Sequence, residues 1–329
     1  MHLALAAIVP CRLPATFYPR QESHKNDHFS IAKREEKKTE TVSTPYVPRP
    51  APASSPDDGW TMTVASEAAA DGGRRYALLL AMDDFPEYVG ASRGGYFGVF
   101  AAAFGGAGER WDSFRVYEGE FPPPDELDGY DGFVVTGSPS DAHGDEPWVL
   151  RLCDFLRALH ALEKRLLGVC FGHQILCRAL GGRVGKSSSG WDLGVRTVNL
   201  NVEEMHGVEF LKNLQELPRS APLIEIHQDE VLELPPGATV LAYSEKTGVE
   251  MFAVGDHVLG VQGHPEMDMD IMHHIIDAFV DCNTITSCAA DAARKAAEGR
   301  EPHMELWTGL CKLFLMGKRM EKTAGVTLG

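Results

Sequence analysis

The chain has 329 residues, and its 47 acidic against 31 basic residues give a formal net charge of −16. So acidic a chain argues against a nucleic-acid partner, and no run approaches the roughly 18 apolar residues that a membrane-spanning helix needs. Seven scattered cysteines without a CxxC pair favour a reducing compartment over a disulfide framework, and they predict neither a metal site nor another cofactor.

Residues 1–72 lack sustained hydrophobic periodicity and include a stretch rich in Pro, Ala and Ser at 44–57. This composition predicts a disordered extension before the folded part. Three basic residues near the start fit a plastid transit peptide, whereas later acidic pairs argue against one. We therefore expect a cytosolic protein, with a plastid location as the alternative, and Met62 is a candidate second start site.

From residue 76 onwards the pattern predicts alternating strands and helices. Four short apolar runs predict parallel strands, at residues 76–82, 113–117, 132–136 and 166–169. A helix is predicted at 147–162, with Asp145 as its cap and Pro147 in its first turn. Three later runs predict antiparallel additions, at residues 194–200, 223–227 and 239–244. The expected fold is an α/β three-layer αβα sandwich with a mostly parallel sheet and sites at the carboxyl ends of its strands.

The end of the chain has a helical pattern. Amphipathic helices are predicted at 289–297 and 304–316. We therefore expect three parts: the extension at 1–72, a catalytic domain at 73–283 and a helical tail at 284–329.

One cysteine stands where a nucleophile would be expected. Cys170 lies between Gly168 and Gly172, after a buried strand and before a helical pattern. The two glycines omit the β-carbons that would crowd a sharp strand-to-helix turn, and a helix N-terminus stabilises a thiolate. Because no other cysteine has this arrangement, we expect Cys170 to be reactive, although a buried inert thiol is the ordinary role of a free cysteine.

A thiol nucleophile needs a base, and the base needs an orienting group. His264 and Glu266 fit these roles, because Pro265 keeps the chain extended and the two side chains then point the same way. A hairpin with the two-residue turn Gly255-Asp256 is predicted to deliver His264. Among the alternatives, His173 should pack beside the site, His227 should line the pocket and His257 should cap a hairpin strand.

The oxyanion of an acyl-transfer reaction needs hydrogen-bond donors. The strand at 132–136 ends in the turn Gly137-Ser138-Pro139, so a backbone N–H of Gly137 or Ser138 is expected to face Cys170. The second donor would be the N–H of Phe171. By itself Gly-Ser-Pro indicates only a turn. The strand-to-helix turn at Cys170, which follows the next predicted strand, strengthens the interpretation of Gly137-Ser138 as an oxyanion donor.

In this order the motifs resemble those of the class I (triad) glutamine amidotransferases. Gly-x-Cys-x-Gly-His-Gln runs from Gly168 to Gln174, and His-Pro-Glu ends at Glu266. The resemblance implies Cys170 as nucleophile, His264 as base and Glu266 as its partner, with Gln174 helping to hold the glutamyl group and Ser138 and Phe171 offering the oxyanion N–H groups. Phe171 stands where an aliphatic residue is common in the family, and Ser138 stands where many members have glycine.

We expect no synthase domain beside the glutaminase-like one, and the chain is similar to the stand-alone plant γ-glutamyl peptidases. The motifs that carry this likeness are Phe85-Pro-Glu-Tyr, Gly137-Ser-Pro-Ser-Asp-Ala and Gln262-Gly-His-Pro-Glu. The likeness implies a cytosolic hydrolase that removes the γ-glutamyl residue from glutathione conjugates, as in glucosinolate and defence-compound metabolism. Its expected partner is thus a small γ-glutamyl substrate.

Glutamine and glutathione present the same γ-glutamyl acyl group, so a larger leaving group requires an open pocket. Four aromatic residues are candidates for its lining, although core packing is the commoner role of each: Tyr96, Phe97, Trp148 and Trp191. Two other interpretations remain, a glutaminase subunit that supplies ammonia to a separate synthase and a non-catalytic binding protein of the same fold.

Overall fold

The computed structural model describes residues 73–83, 87–212, 214 and 217–317. The predicted extension at 1–72 with Met62, residues 85 and 86 of the Phe-Pro-Glu-Tyr motif, and the end of the predicted tail lie outside the described residues. The two boundaries between the three predicted parts stay a prediction.

Nine strands of the described chain form one sheet in the order β2-β1-β3-β4-β11-β10-β9-β6-β7. Its parallel half contains β2 (Arg110–Arg115), β1 (Arg75–Leu80), β3 (Gly132–Val135), β4 (Arg165–Val169) and β11 (Val258–Val261). Its antiparallel half contains β10 (Met251–Val254), β9 (Ala238–Tyr243), β6 (Asp192–Leu200) and β7 (Ser220–His227). A separate pair, β5 (Arg183–Lys186) and β8 (Asp229–Glu233), lies beside it. The predicted α/β fold with antiparallel additions is confirmed.

Helices cover both faces of the sheet. They are α1 (Glu87–Arg93), α2 (Gly95–Phe104), α3 (Pro147–Ala161), α4 (Phe171–Ala179), α5 (Val202–His206), α6 (Met269–Asp281), α7 (Ser287–Ala297) and α8 (Met304–Met316). Side chains alternate between the two faces of the sheet along β1. Leu78 lies on the face that is covered by α2, α6, α7 and α8, and Leu79 lies on the face that is covered by α3 and α4. The three layers bury apolar side chains on both sides of the strands that end at Cys170 and near His264.

The two C-terminal helices belong to this core. Trp307 of α8 is fully buried, and its indole Nε1 donates to the carbonyl oxygen of Pro222 at 3.0 Å. The Tyr76 hydroxyl of β1 donates to the Leu315 carbonyl oxygen at 3.2 Å. The predicted helices at 289–297 and 304–316 are therefore confirmed, and they pack against the sheet.

Two local predictions are wrong. Val254 pairs with Val258, so the β10–β11 loop has three residues rather than two, and Gly255 supplies its positive φ of 53°. Asp145 does not cap α3, because Glu146 occupies the N-cap position without a side-chain cap, while an Asp145 oxygen accepts from Arg178 at 3.1 Å. A tertiary ion pair has replaced the local cap, whereas Pro147 does begin the helix as predicted.

Within the described part of the chain, the helices all fall short of the length and apolar character that crossing a bilayer requires.

Candidate active site

Cys170 is the single residue between β4 and α4. Its backbone angles are φ 53° and ψ −105°, a sparsely populated region for a residue with a side chain. Such a conformation costs on the order of 1–3 kcal/mol, and surrounding structure has to hold it in place. Hydrogen bonds on both sides do so, from Cys170 N to Val261 O at 2.9 Å and from Gln174 N to Cys170 O at 3.1 Å.

The two glycines flanking Cys170 let the turn lie against its neighbours. A Cβ on Gly168 would lie 2.3 Å from the backbone of Gly172, and a Cβ on Gly172 would lie 2.3 Å from the Val135 carbonyl oxygen of β3. Both contacts are with backbone, which has little freedom to move away. The structure thus confirms why glycine is needed at these positions of the elbow.

The parallel pairing of β11 with β4 places His264 at the same edge of the sheet as Cys170. His264 Nδ1 lies 2.8 Å from Glu266 Oε1, and both side chains are buried. Nδ1 therefore carries the proton of this hydrogen bond. The other ring nitrogen, Nε2, makes no hydrogen bond of normal geometry with any described residue.

Opposing influences act on the His264 imidazole. Burial lowers its pKa, because desolvation disfavours the charged ring, but the negative charges of Glu266 and Cys170 and the hydrogen bond to Glu266 raise it. The net result is a pKa well above the ordinary value of 6.5. The site therefore favours an imidazolium beside Cys170, which is the form that can protonate a leaving group.

Gly137 completes the group. A Cβ on Gly137 would lie 3.3 Å from His264 Cε1 and 3.7 Å from Cys170 Cβ, so the turn after β3 touches both side chains. Ser138 is fixed in that turn, since its hydroxyl donates to Ala81 O at 2.8 Å and accepts from Ser140 N at 3.2 Å. The predicted approach of three strand ends is present.

Phe171 and Gln174 lie in the first turn of α4. The Phe171 N–H is among the helix N-terminal groups that have no acceptor within the helix, and its ring packs on Trp148 at 5.6 Å. Gln174 Nε2 donates to Asp229 O at 2.8 Å and to Gln262 Oε1 at 3.1 Å. Because both amide hydrogens are used within the protein, Gln174 would meet a substrate through its carbonyl oxygen.

The three histidines that were alternatives to His264 as the base each lie in a different environment. His173 is fully buried with its ring 4.9 Å from that of Phe252, and burial lowers its pKa to about 3. His227 lines the cavity beside Cys170 and is buried too, which lowers its pKa. His257 lies in the β10–β11 loop, where its ring stacks on that of His160 of α3.

A cavity of about 580 Å³ opens over Cys170, Gly137 and His264. Of the four aromatic candidates, Tyr96 and Trp191 line it, whereas Phe97 and Trp148 pack elsewhere. Its polar wall includes Lys186, which the sequence analysis missed, since a lysine in a short strand has no distinguishing pattern. Two buried glutamates behind the site, Glu225 and Glu250, likewise have no distinguishing pattern in the sequence.

Comparisons with known proteins show the family to which the chain belongs. The family model for glutamine amidotransferase class-I matches residues 113–282. Gamma-glutamyl peptidase 5 of Arabidopsis thaliana is 46% identical over 245 residues, covering 74% of this chain and 96% of that protein. Gamma-glutamyl peptidase 3 of the same plant is 45% identical over 246 residues, covering 74% and 97%.

Solved structures bear on the fold. A glutamine amidotransferase from Thermotoga maritima matches with a TM-score of 0.55 and 20% identity, covering 74% of this chain and 96% of that one. A glutamine amidotransferase from Methylobacillus flagellatus matches with a TM-score of 0.52 and 21% identity, covering 74% and 94%. They share the α/β architecture described above.

Proposed function

The chain belongs to the class I glutamine amidotransferase family and is a hydrolase of its γ-glutamyl peptidase group, and we propose that it removes the γ-glutamyl residue from glutathione S-conjugates through a thioester on Cys170. The observation that carries the proposal is the meeting of Cys170, the His264–Glu266 pair and the Gly137 turn at one edge of the sheet. We assign the reaction to the cytosol and to the metabolism of glutathione conjugates, glucosinolate-type defence compounds included.

The first half of the reaction forms the thioester. The Cys170 thiolate attacks the γ-carbonyl carbon, and the oxygen that becomes negative accepts hydrogen bonds from N–H groups of the Gly137-Ser138 turn and of Phe171. The C–N bond then breaks, and the His264 imidazolium gives its Nε2 proton to the departing amine of the cysteinyl-glycine part. Glu266 holds the ring by its Nδ1 hydrogen.

The second half releases glutamate. His264, now neutral, takes a proton from water, whose oxygen attacks the thioester carbon. The C–S bond breaks, and Cys170 leaves as the thiolate with the imidazolium restored beside it. The raised pKa of His264 suits this cycle, because the protonated ring is the resting form.

The cavity supports a conjugate as substrate. Its volume of about 580 Å³ lies in the usual range for small-molecule sites, about 300–1,000 Å³. Trp191 and Phe279, whose rings are 5.5 Å apart, give one wall an aromatic surface that suits an apolar group on sulfur. Lys186, whose ammonium also lies 3.7 Å from Asp141 and 3.8 Å from Asp229, can donate a hydrogen bond to a substrate carboxylate.

The test is glutamate release by the purified full chain from a glutathione S-conjugate and from glutamine in parallel. We expect faster release from the conjugate and none with Cys170→Ala. The control is Cys153→Ala, which removes a buried thiol of α3 outside the site and should keep the activity.

Other outcomes favour the other interpretations. Release from glutamine alone would contradict the peptidase proposal and support a glutaminase subunit. No release from either substrate by the folded protein would support a binding protein of the same fold.

A further inference from the structure

Three buried side chains behind the base form a cluster that the proposed reaction does not use. Glu225 and His227 lie on β7, and Glu250 lies just before β10. Their relative exposures are 0%, 4% and 1%, and the oxygen and nitrogen atoms that face one another all lie within 4.8 Å. Two carboxylates and one imidazole therefore share a buried space, and the proposed mechanism gives none of them a role.

Five polar atoms of this cluster have no hydrogen-bond partner of normal geometry among the residues that the structure describes. They are both carboxylate oxygens of Glu225, both of Glu250 and the Nε2 of His227. Each buried polar group left in this state costs about 1–3 kcal/mol, and more when it is charged. So many neighbouring acceptors indicate that something positive belongs among them.

The orientation of the His227 ring shows which of its nitrogens could bind a cation. Its Nδ1 lies 3.0 Å from the carbonyl oxygen of Asp229, so Nδ1 carries the hydrogen and donates it. In the neutral ring Nε2 then presents a lone pair to Glu225 Oε2, 3.4 Å away. Imidazole ligands of metals commonly have this arrangement, with the other ring nitrogen held by a backbone carbonyl.

The spacing favours a metal ion over a shared proton. A separation of 3.4 Å is longer than the usual N–H···O distance of about 2.7–3.2 Å. Two ligands each about 2.0–2.1 Å from a tetrahedral zinc ion lie roughly 3.3 Å apart. The distance between His227 Nε2 and Glu225 Oε2 thus matches an edge of such a tetrahedron.

We propose that Glu225, His227 and Glu250 bind one divalent transition-metal ion, zinc in the first instance. Oxygen and imidazole nitrogen without sulfur are suitable donors for zinc. The charges balance, because two carboxylates neutralise the dication. The neighbouring carboxylate of Asp192 is neutralised separately by Arg196, whose Nε lies 2.6 Å from its Oδ1.

The ion would brace β7, the strand against which the segment carrying the base rests. A Cβ on Gly263 would lie 2.4 Å from Glu225 Oε1, and His264 N donates to Ile224 O at 2.8 Å. Joining β7 to the segment before β10 therefore fixes the surface on which His264 rests. The ion is a structural brace in this account, and Glu225, His227 and Glu250 position the base.

A second group of possible ligands provides a control. Asp141, His143 and Asp229 also lie close together, but Lys186 Nζ is 3.7 Å from Asp141 and 3.8 Å from Asp229. This ammonium already supplies the positive charge. His143→Gln should therefore leave metal binding unchanged.

The experiment measures metal content of the purified full chain by mass spectrometry, before and after stripping with a chelator and reloading with zinc. We expect one zinc ion per chain in the wild type and in His143→Gln, and loss of most of it in Glu225→Gln and Glu250→Gln. Loading the stripped wild type with Co²⁺ should give the visible absorption of a tetrahedral oxygen and nitrogen site, without a thiolate charge-transfer band.

Two results would overturn the proposal. One is a folded wild-type protein that neither contains nor takes up zinc or Co²⁺, which would leave a network of protonated carboxyl groups as the account of the cluster. The other is zinc retained in both glutamine variants. If the variants do not fold, the wild-type uptake and the Co²⁺ spectrum still decide the question.

Discussion

His264 Nδ1 and Glu266 Oε1 lie 2.8 Å apart across Pro265, with both side chains buried. The pair links the end of β11 to the start of the segment before α6. Since the Glu266 charge raises the pKa of His264, the hydrogen bond orients the ring and also keeps it protonated.

Glu266→Gln should therefore lower kcat by about 10²- to 10⁴-fold with a smaller change in KM, because the amide keeps the shape and loses the charge. The alkaline limb of kcat/KM, where the imidazolium loses its proton, should move to lower pH. Asp268→Asn is the matched control, since it makes the same chemical change at the α6 N-cap, and asparagine caps equally well. An unshifted alkaline limb in Glu266→Gln would contradict this role.

Gly172→Ala should destabilise the protein although position 172 lies in a helix. Helix propensity alone would favour alanine by about 0.8–1 kcal/mol. The new Cβ would lie 2.3 Å from the Val135 carbonyl oxygen, and we expect a net loss of roughly 1–3 kcal/mol in the free energy of unfolding. Chemical denaturation measures it, with Gly248→Ala as the control because nothing lies within 4 Å of its Cβ. Equal free energies of unfolding of the two variants would contradict the prediction, because they would show that the backbone around position 172 moves to accommodate the new Cβ.

His173 should make the protein less stable in acid. Burial lowers its pKa from 6.5 to about 3, so below pH 6.5 the unfolded chain binds a proton that the folded protein does not. As pH falls from 6.5 towards 3, its contribution to the free energy of unfolding should decrease by about 1.4 kcal/mol per pH unit. Denaturation of wild type and His173→Phe between these limits should give curves of different slope. Parallel curves would refute the assignment.

Trp191→Ala should act on substrate choice. The indole lines the cavity beside Phe279, so its loss removes aromatic contact with a group carried on sulfur. For a conjugate with an aromatic substituent we expect KM to rise about tenfold, or roughly 1.4 kcal/mol. Hydrolysis of unconjugated glutathione by the same variant is the internal control and should change little. Equal effects on both substrates would place Trp191 outside the conjugate's binding site.

The sequence was sufficient for the parts of the site that are local in the chain. A strand, a tight turn and a helix around Cys170 follow from glycine placement and periodicity, and the extended His264-Pro-Glu266 segment follows from proline chemistry. The turn that carries Cys170 and the segment from His264 to Glu266 both lie at the carboxyl edge of the sheet, as predicted. The residue roles rest on the proposed reaction.

What escaped prediction depends on contacts between distant segments. The parallel pairing of β11 with β4 has no sequence signal, because each strand is only a short apolar run. Glu225 and Glu250 are far apart in the chain, and each alone is typical of an exposed strand residue. Asp145 has the right type and place for a cap, but its ion pair with Arg178 takes it away from the helix.

The most direct test of the reaction is to identify the atom that carries the acyl group. The full chain is mixed with a γ-glutamyl substrate that has a good leaving group, quenched in acid during turnover and mapped by peptide mass spectrometry. We predict one γ-glutamyl group, on the peptide that contains Cys170 and bound to its sulfur. Glutamate release at the wild-type rate by Cys170→Ala, with no acyl group on Cys170 in the wild type, would contradict the account.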